Sequence, residues 1–494
     1  MNRLLIALFF TLSLSLFAEQ PKHEIRAAWV TTAWRLDWPT TLAKDSASVE
    51  KQRREFVKIV EHLHFLNFNT IFLQVRMRND LIYPSAIEPW SAMLTGKSRK
   101  SPLYDPLAFA SEECHKRGIE CHAWMVTIPI GSDKQTKANG EASLLKTHPE
   151  LCKRIKDEWF LDPGIPETAN YLASIASEIT KNYDIDGIHL DYLRYPEIGE
   201  FPDKTTHQTY GENQPLADWR RANINRIVAT IYDSVKVLKP WVQLSSSPIG
   251  KSDDLDSISS HGWNGRSRVF QDVKQWLSEG KQDMIAPMLY FKEPIFKPFL
   301  RDWKMATGVR PVAAGIALYM MNDRKWSNEI VENEIAYTRQ INCGGQTYFR
   351  TENLIKNTKN ITDIIKQKYY LYPALLPPMV WIDSIAPDAP QFTKVYQVEN
   401  KIIFEWENKS VKKNCTFNIY ASNQAKIDTK NIQNLVACRV KGNQFEFEIS
   451  DDFEGDMYFS ITSNDRYHNE SQPSNTALLK FPYQIRTLKL NLKQ

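Results

Sequence analysis

The spacing of apolar positions along this chain switches repeatedly between two and about 3.6 residues. From Glu24 to about Tyr370, short β-rich runs alternate with amphipathic stretches. Residues 26–32 predict a strand, after which Val49, Phe56, Ile59, Val60, Leu63 and Leu66 follow helical spacing. Further strands are expected at 70–75, 120–126, 187–191, 242–246, 284–289, 312–317 and 346–349. Helical patterns separate them, around 106–117, 166–183, 219–236, 272–279, 299–305, 327–341 and 360–369. Pro166 opens its helix where the missing N–H has no helical acceptor to lose. Eight strands, each followed by a helix, is the count of an α/β fold of the (β/α)8 TIM-barrel type. A doubly wound open sheet shares the alternation but should carry a glycine fingerprint for phosphate, and none occurs.

Two flanking regions break this rhythm. Residues 372–390, with Pro373, Pro377, Pro378, Pro387 and Pro390, read as a linker after a barrel spanning 24–371. Beyond it, 402–406, 416–421, 445–449 and 457–462 are short strands between polar turns, predicting a small all-β sandwich over 391–482. The placement of Trp406, Tyr420 and Tyr458, with Asn469-Glu470-Ser471 near the end, resembles fibronectin type III-like modules of bacterial secreted enzymes. Residues 483–494 are expected to be a final strand or loose tail. At the other end, Met1-Asn2-Arg3 is followed by the uncharged run 4–17, then Ala18 and the polar Glu19-Gln20-Pro21-Lys22. This layout predicts a secretory signal peptide over 1–18, because the run is shorter than the roughly 20 residues of a bilayer span. A retained anchor is the alternative. No later segment approaches transmembrane length, so the mature chain is expected to be exported and soluble.

Lys+Arg number 62 against 58 Asp+Glu, and no charged block stands out, so nothing favours a nucleic-acid partner or a membrane surface. Cys114, Cys121, Cys152, Cys343, Cys415 and Cys438 show neither CxxC pairing nor metal-ligand spacing. Twelve of the 14 tryptophans precede residue 330, which places the flat surfaces suited to sugar C–H faces in the barrel region.

Alternate residues of a barrel strand point into the barrel and toward the helices. In the fourth strand, apolar Ile188 and Leu190 share one face, leaving His189 and Asp191 inward, with Asp191 at the strand's carboxyl end. The same reasoning turns Gln74 and Arg76, His122 and Trp124, Gln243, Ser245 and Ser247, and Gln346, Tyr348 and Arg350 inward. Barrel interiors favour branched apolar residues, so this polar convergence predicts a ligand site at the carboxyl-terminal face.

A set of motifs in order then becomes specific. Arg26-Ala27-Ala28-Trp29-Val30-Thr31-Thr32, Leu73-Gln74-Val75-Arg76 with Asp80 and Tyr83-Pro84-Ser85, and Glu88-Pro89-Trp90-Ser91 resemble the glycosyl-hydrolase-like 10 family. So do His122-Ala123-Trp124, Leu161-Asp162-Pro163-Gly164, the stretch Asp184-Ile185-Asp186-Gly187-Ile188-His189-Leu190-Asp191-Tyr192 with Arg194-Tyr195-Pro196-Glu197, Ser246-Ser247-Pro248, and Ala286-Pro287-Met288-Leu289-Tyr290. The resemblance covers nearly all of 24–370. It implies a (β/α)8 fold, a bacterial envelope or secreted location, hydrolysis of glycosidic bonds and cell-wall glycan as a substrate class. It carries no catalytic pair onto this chain. The fourth strand is also similar to the DGxDxDxE strand of chitinase-like enzymes, but His189 replaces a carboxylate and Leu193 the catalytic glutamate, so that mechanism is rejected.

A glycosidase ordinarily needs two carboxyl groups flanking the scissile bond. Asp191 is the first choice, with Glu293 after the sixth strand as its partner and Glu197, Asp80 and Glu352 as alternatives. Arg76 is expected to bond Asp191 and hold it ionised. Arg76, Asp80, His122, Trp124, His189, Tyr192, Arg194, Tyr290 and Arg350 are the expected substrate-binding residues, with Tyr195 a further stacking candidate. Asp162 fits a turn and cap before the 166–183 helix. No cofactor is expected, and the partner is a polysaccharide or peptidoglycan glycan. Two other readings stay open: an inactive carbohydrate-binding barrel, and metal-dependent hydrolysis by His122, His189 and Asp191.

Overall fold

The computed structural model describes residues 20–398, 401–412, 414–448 and 455–481. The expected signal peptide and carboxyl-terminal tail lie outside these residues. The chain divides into two compact units, one of Ile25–His115 with Ile119–Asp363, the other holding the described residues of Met1–Glu24, Lys116–Gly118 and Ile364–Gln494.

The first unit is a closed barrel of eight parallel strands: β1 (Ile25–Val30), β2 (Thr70–Arg76), β3 (Glu120–Val126), β4 (Gly187–Asp191), β5 (Gln243–Ser246), β6 (Met284–Ile285), β7 (Val312–Ala317) and β8 (Gly344–Phe349). Each predicted strand is present. The sixth is the shortest, because Pro287 has no N–H to give a ladder, and only an isolated bridge at Met288 continues it toward Gly315. Closure between β8 and β1 requires glycine. A β-carbon on Gly345, whose φ is +149°, would sit 2.1 Å from the carbonyl oxygen of Ile25.

The outer helices include α1 (Ser46–Phe65), α2 (Pro106–His115), α3 (Pro166–Asn182), α4 (Leu216–Leu238), α5 (Val273–Ser278), α6 (Phe296–Thr307) and α7 (Asn328–Gln340). Their buried faces follow the predicted period, as with Val49, Phe56, Ile59, Val60 and Leu63 on α1. Between β3 and α3, the chain inserts a three-stranded antiparallel sheet of Pro129–Ser132, Cys152–Ile155 and Glu158–Leu161. Strands of four residues are too short for alternation to stand out.

One irregularity redirects a predicted site residue. In β2, Gln74 pairs with Trp124 but Arg76 pairs with the next residue, Met125, so a bulge at Val75 breaks the alternation of faces. Arg76 is therefore not beside Asp191. Its Nε and Nη2 donate to the two oxygens of Glu88 at 2.8 and 2.7 Å, and Nη1 donates to the carbonyl of Thr127 at 2.8 Å. Tyr171 of α3 donates its hydroxyl to Glu88 at 2.7 Å. Asp80 belongs to this same buried knot: burial, reinforced by the Glu88 charge, pushes its carboxyl up to about 6 despite a Ser91 hydrogen bond and the charge of Arg76.

The second unit contains two antiparallel sheets. One orders β9 (Gln391–Val398), β10 (Lys401–Glu407) and β13 (Gln444–Glu448); the other orders β12 (Leu435–Val440), β11 (Thr416–Ser422), β14 (Gly455–Asn464) and β15 (Ala477–Phe481). Phe404, Trp406, Phe417, Phe459 and Ile461 share their core. Residues 372–390 are no free linker. Leu375 packs with Tyr420, Ile432 and Leu435, and Met379 N–H donates to the Tyr467 carbonyl at 2.9 Å.

Arg76 and Glu88 have fully buried side chains, so removing one charge strands the other. Glu88→Gln is expected to lower unfolding free energy by about 3–5 kcal/mol, measured by urea denaturation followed through tryptophan fluorescence.

Candidate active site

Four aromatic rings floor the site. Phe72 stacks on His189 with centroids 4.1 Å apart, and Trp29 and His122 lie against Phe72 at 5.7 and 5.4 Å. The indole N–H of Trp29 donates to His189 Nε2 at 3.1 Å. An indole is only a donor, so His189 carries its proton on Nδ1 and gives it to Ser245 Oγ at 2.9 Å. Burial, with the neighbouring His122, holds His189 well below the usual imidazole range, which keeps it neutral. His122 bonds Glu120 at 2.9 Å, and Gly187 makes room for its ring: a β-carbon there would lie 2.3 Å from Nδ1. Both histidines thus brace the barrel beneath the mouth. In the ladder, His122 pairs with Gly187, four residues below Asp191, or about 13 Å along the strand. Among the described residues, no three His, Cys, Asp or Glu side chains gather as metal ligands, so the metal reading has no ligand set.

Asp191 ends β4 at the carboxyl-terminal face. One carboxylate oxygen accepts the Tyr192 N–H at 2.7 Å and the other accepts the Trp124 indole N–H at 3.2 Å. The Ser247 hydroxyl also bonds it, and the Arg194 charge lies near. These favour the anion, yet desolvation outweighs them and the pKa is raised. The expectation that Arg76 holds Asp191 ionised is overturned, since Arg76 is consumed by Glu88. The Asp191 carboxyl is therefore harder to ionise than a free aspartate.

The rim around it is aromatic and charged. Tyr192 has φ 51° and is 46% exposed, with the Arg194 guanidinium 4.5 Å over its ring. Arg194 in turn donates to Glu197 at 2.9 Å. Tyr290 stacks on Phe349 at 6.1 Å, and Phe349 meets Trp29 at 6.0 Å. The charge of Asp191 adds to the burial that pushes the Tyr290 hydroxyl up.

The predicted inward set of β8 is reversed. Gln346 donates to Thr338 on α7, and Tyr348 packs against Phe68 at 5.5 Å, whereas Phe349 faces Trp29 and Tyr290. Both faces of this strand carry polar and aromatic residues, so composition did not betray the parity. Arg350 still reaches the mouth, bonding Glu352 and lying 3.8 Å from Asp37. Asp37, missed in the sequence, accepts the N–H groups of Thr31 and Glu352, both at 2.8 Å, and burial pushes it up to about 6. Its signal was an acid in the aromatic loop Trp34-Arg35-Leu36-Asp37-Trp38 directly after β1.

Glu293 follows the sixth strand. Its half-exposed carboxylate pairs with Lys297 of α6 at 3.5 Å, and its charge acts on buried Glu334 of α7. Arg76 and Asp80 lie in the Glu88 knot, and Asp162 caps its turn by accepting the Gly164 N–H at 2.9 Å.

A closed (β/α)8 barrel with a buried carboxyl at the end of β4, ringed by aromatic side chains, is a barrel of the glycoside hydrolase type. The chain belongs to the Glycosyl hydrolase-like 10 family, whose model matches residues 24–325. It is 32% identical over 495 residues to glycosyl hydrolase YngK of Bacillus subtilis (strain 168), covering 94% of this chain and 95% of that protein. Glycosyl hydrolase DigH of Escherichia coli (strain K12) is 32% identical over 293 residues, 55% of this chain and 67% of that protein. The PgaB (BpsB) glycoside hydrolase domain from Bordetella bronchiseptica superposes on 71% of this chain and 99% of its own, with TM-score 0.49 and 12% identity.

Raising a carboxyl pKa in the folded state adds stability that is complete below the unfolded aspartate value, near 3.9, and is lost as pH rises through the folded value. Asp191→Asn removes that loss. The variant is expected to melt above wild type at pH 7–8, with the gain vanishing near pH 3.5, as read by thermal scans across pH.

Proposed function

We propose that this protein is an exported glycoside hydrolase acting on a polysaccharide, with bacterial cell-wall glycan as its substrate class. Asp191 is the general acid that protonates the leaving oxygen. The observation that carries this is its position: a buried carboxyl with a raised pKa at the carboxyl end of β4, beneath a rim of Tyr192, Tyr290 and Trp124. Glu197 takes the place expected for Glu293. It is linked to the Asp191 region through Arg194, its side chain is 41% exposed, and it lines a cavity of about 430 Å³ with Tyr195, Phe201 and Phe270. An accessible carboxylate paired with a guanidinium suits the base or nucleophile. The names of the family relatives and the run 1–18 support hydrolysis and export respectively.

The test is product release from purified peptidoglycan glycan strands and a polysaccharide panel. Asp191→Asn and Glu197→Gln are each expected to lower kcat by about 10²–10⁴-fold, whereas Glu293→Gln stays within a few-fold of wild type. Equal activity of wild type and Asp191→Asn would remove Asp191 from the chemistry, and binding without products from wild type would make the barrel a carbohydrate-binding protein. Export has its own measurement: amino-terminal sequencing of protein recovered outside the cytoplasm is expected to begin at Glu19.

A further inference from the structure

Two large aromatic side chains stand exposed where they contribute little to folding. Trp34, in the loop after β1, is 63% exposed, and Tyr192, directly after β4, is 46% exposed. Both have left-handed backbones, with φ 50° and 51°, and Arg35 beside Trp34 has φ 59°. For a non-glycine residue this conformation is energetically unfavourable. Exposing an aromatic face to water offsets none of that cost. Each ring is nonetheless held in place by an arginine: the Arg78 guanidinium lies 5.9 Å from the Trp34 ring, and that of Arg194 lies 4.5 Å from Tyr192.

Arg78 is itself fixed from the inserted sheet. Its Nη1 donates to Glu158 at 2.6 Å and to Gln135 at 3.0 Å. Its charge also acts on the Tyr192 hydroxyl, so one guanidinium influences both side chains. Strands β1 and β4 are three places apart in the barrel, or about 14 Å along the wall, which is farther than one sugar ring spans.

We propose that Trp34, Arg78 and Tyr192 form a track that binds a stretch of glycan chain leading to Asp191, with Trp34 as a remote stacking platform several sugars from the bond that is cut. The proposal rests on the glycan-hydrolase reading and adds to it a length requirement. A pyranose ring stacks its C–H face on an aromatic plane, the covering arginine keeps that plane from collapsing onto the barrel, and the strained loop holds it in the chain's path. The inserted sheet thereby acquires a purpose, as the anchor of Arg78.

The experiment uses the full chain with Asp191→Asn, so that ligand is bound without turnover. Affinity for peptidoglycan glycan strands of graded length is measured by titration calorimetry, with and without Trp34→Ala. Long strands are expected to bind roughly fivefold to tenfold more weakly without the indole, disaccharide affinity is expected to be unchanged, and Trp34→Phe is expected to restore most of the loss. Because Trp34 is exposed, its removal should leave the melting temperature of the protein unaltered. Unchanged affinity for long strands, or an equal loss at every length, overturns the track. If the Asp191→Asn protein binds no strand of any length, the glycan reading itself fails, and the track with it.

Discussion

At the seam where β8 meets β1, two main chains approach so closely that residue 345 has no room for a β-carbon. That contact closes the sheet, and closure is what makes a site possible here. An open sheet of the same strands leaves two edges and a flat face, whereas the closed one turns alternate residues of every strand into a shared interior. The interior is filled in layers, with Trp29, Phe72, His122 and His189 packed ring against ring. Those rings exclude water from below Asp191. The desolvation that results is the first cause of its raised pKa, so the chemistry at the mouth descends from the packing beneath it.

The protein deploys arginine–carboxylate pairs in two opposite ways. Arg76 and Glu88 are wholly buried, saturated by each other and by Tyr171 and the Thr127 carbonyl. Such a pair is costly to break and contributes rigidity behind the strand ends. Arg194 and Glu197 pair at the rim with one partner exposed, which leaves a carboxylate accessible to ligand. His189 stays neutral and desolvation raises the Asp191 pKa, apart from the Arg76–Glu88 pair. A single bulge in β2 separates them: without it, Arg76 would continue the inward alternation and enter the mouth, where its charge would favour the Asp191 anion. The family likeness spans the residues that build both systems, from Arg26 through Glu197 and beyond.

Local pattern carried the architecture because strand and helix each announce themselves over a few residues. The eight barrel strands, their helices and the all-β character of 391–482 follow from apolar spacing alone, and the inward placement of His189 and Asp191 from the apolar pair Ile188 and Leu190. These are properties of neighbours in the chain, and burial of an apolar face is the same physical demand wherever it occurs. The inserted sheet escaped because its strands are only four residues long, and the packed state of 372–390 because proline content reports backbone preference and says nothing about partners.

Everything decided across the chain required the fold. Arg76 chose Glu88 over Asp191, Glu293 chose Lys297, and Asp37 joined the loop after β1 to the one after β8. Parity in β8 was set by where its ladder begins against β1, a matter of register between residues about 320 apart. The sequence by itself determined which segments become the barrel strands and their helices and which carboxyl stands at the end of β4. The tertiary structure alone decided which charges meet and which are desolvated, because Coulomb energy and dehydration depend on distance and burial in space, and neither is written in the order of residues along the chain.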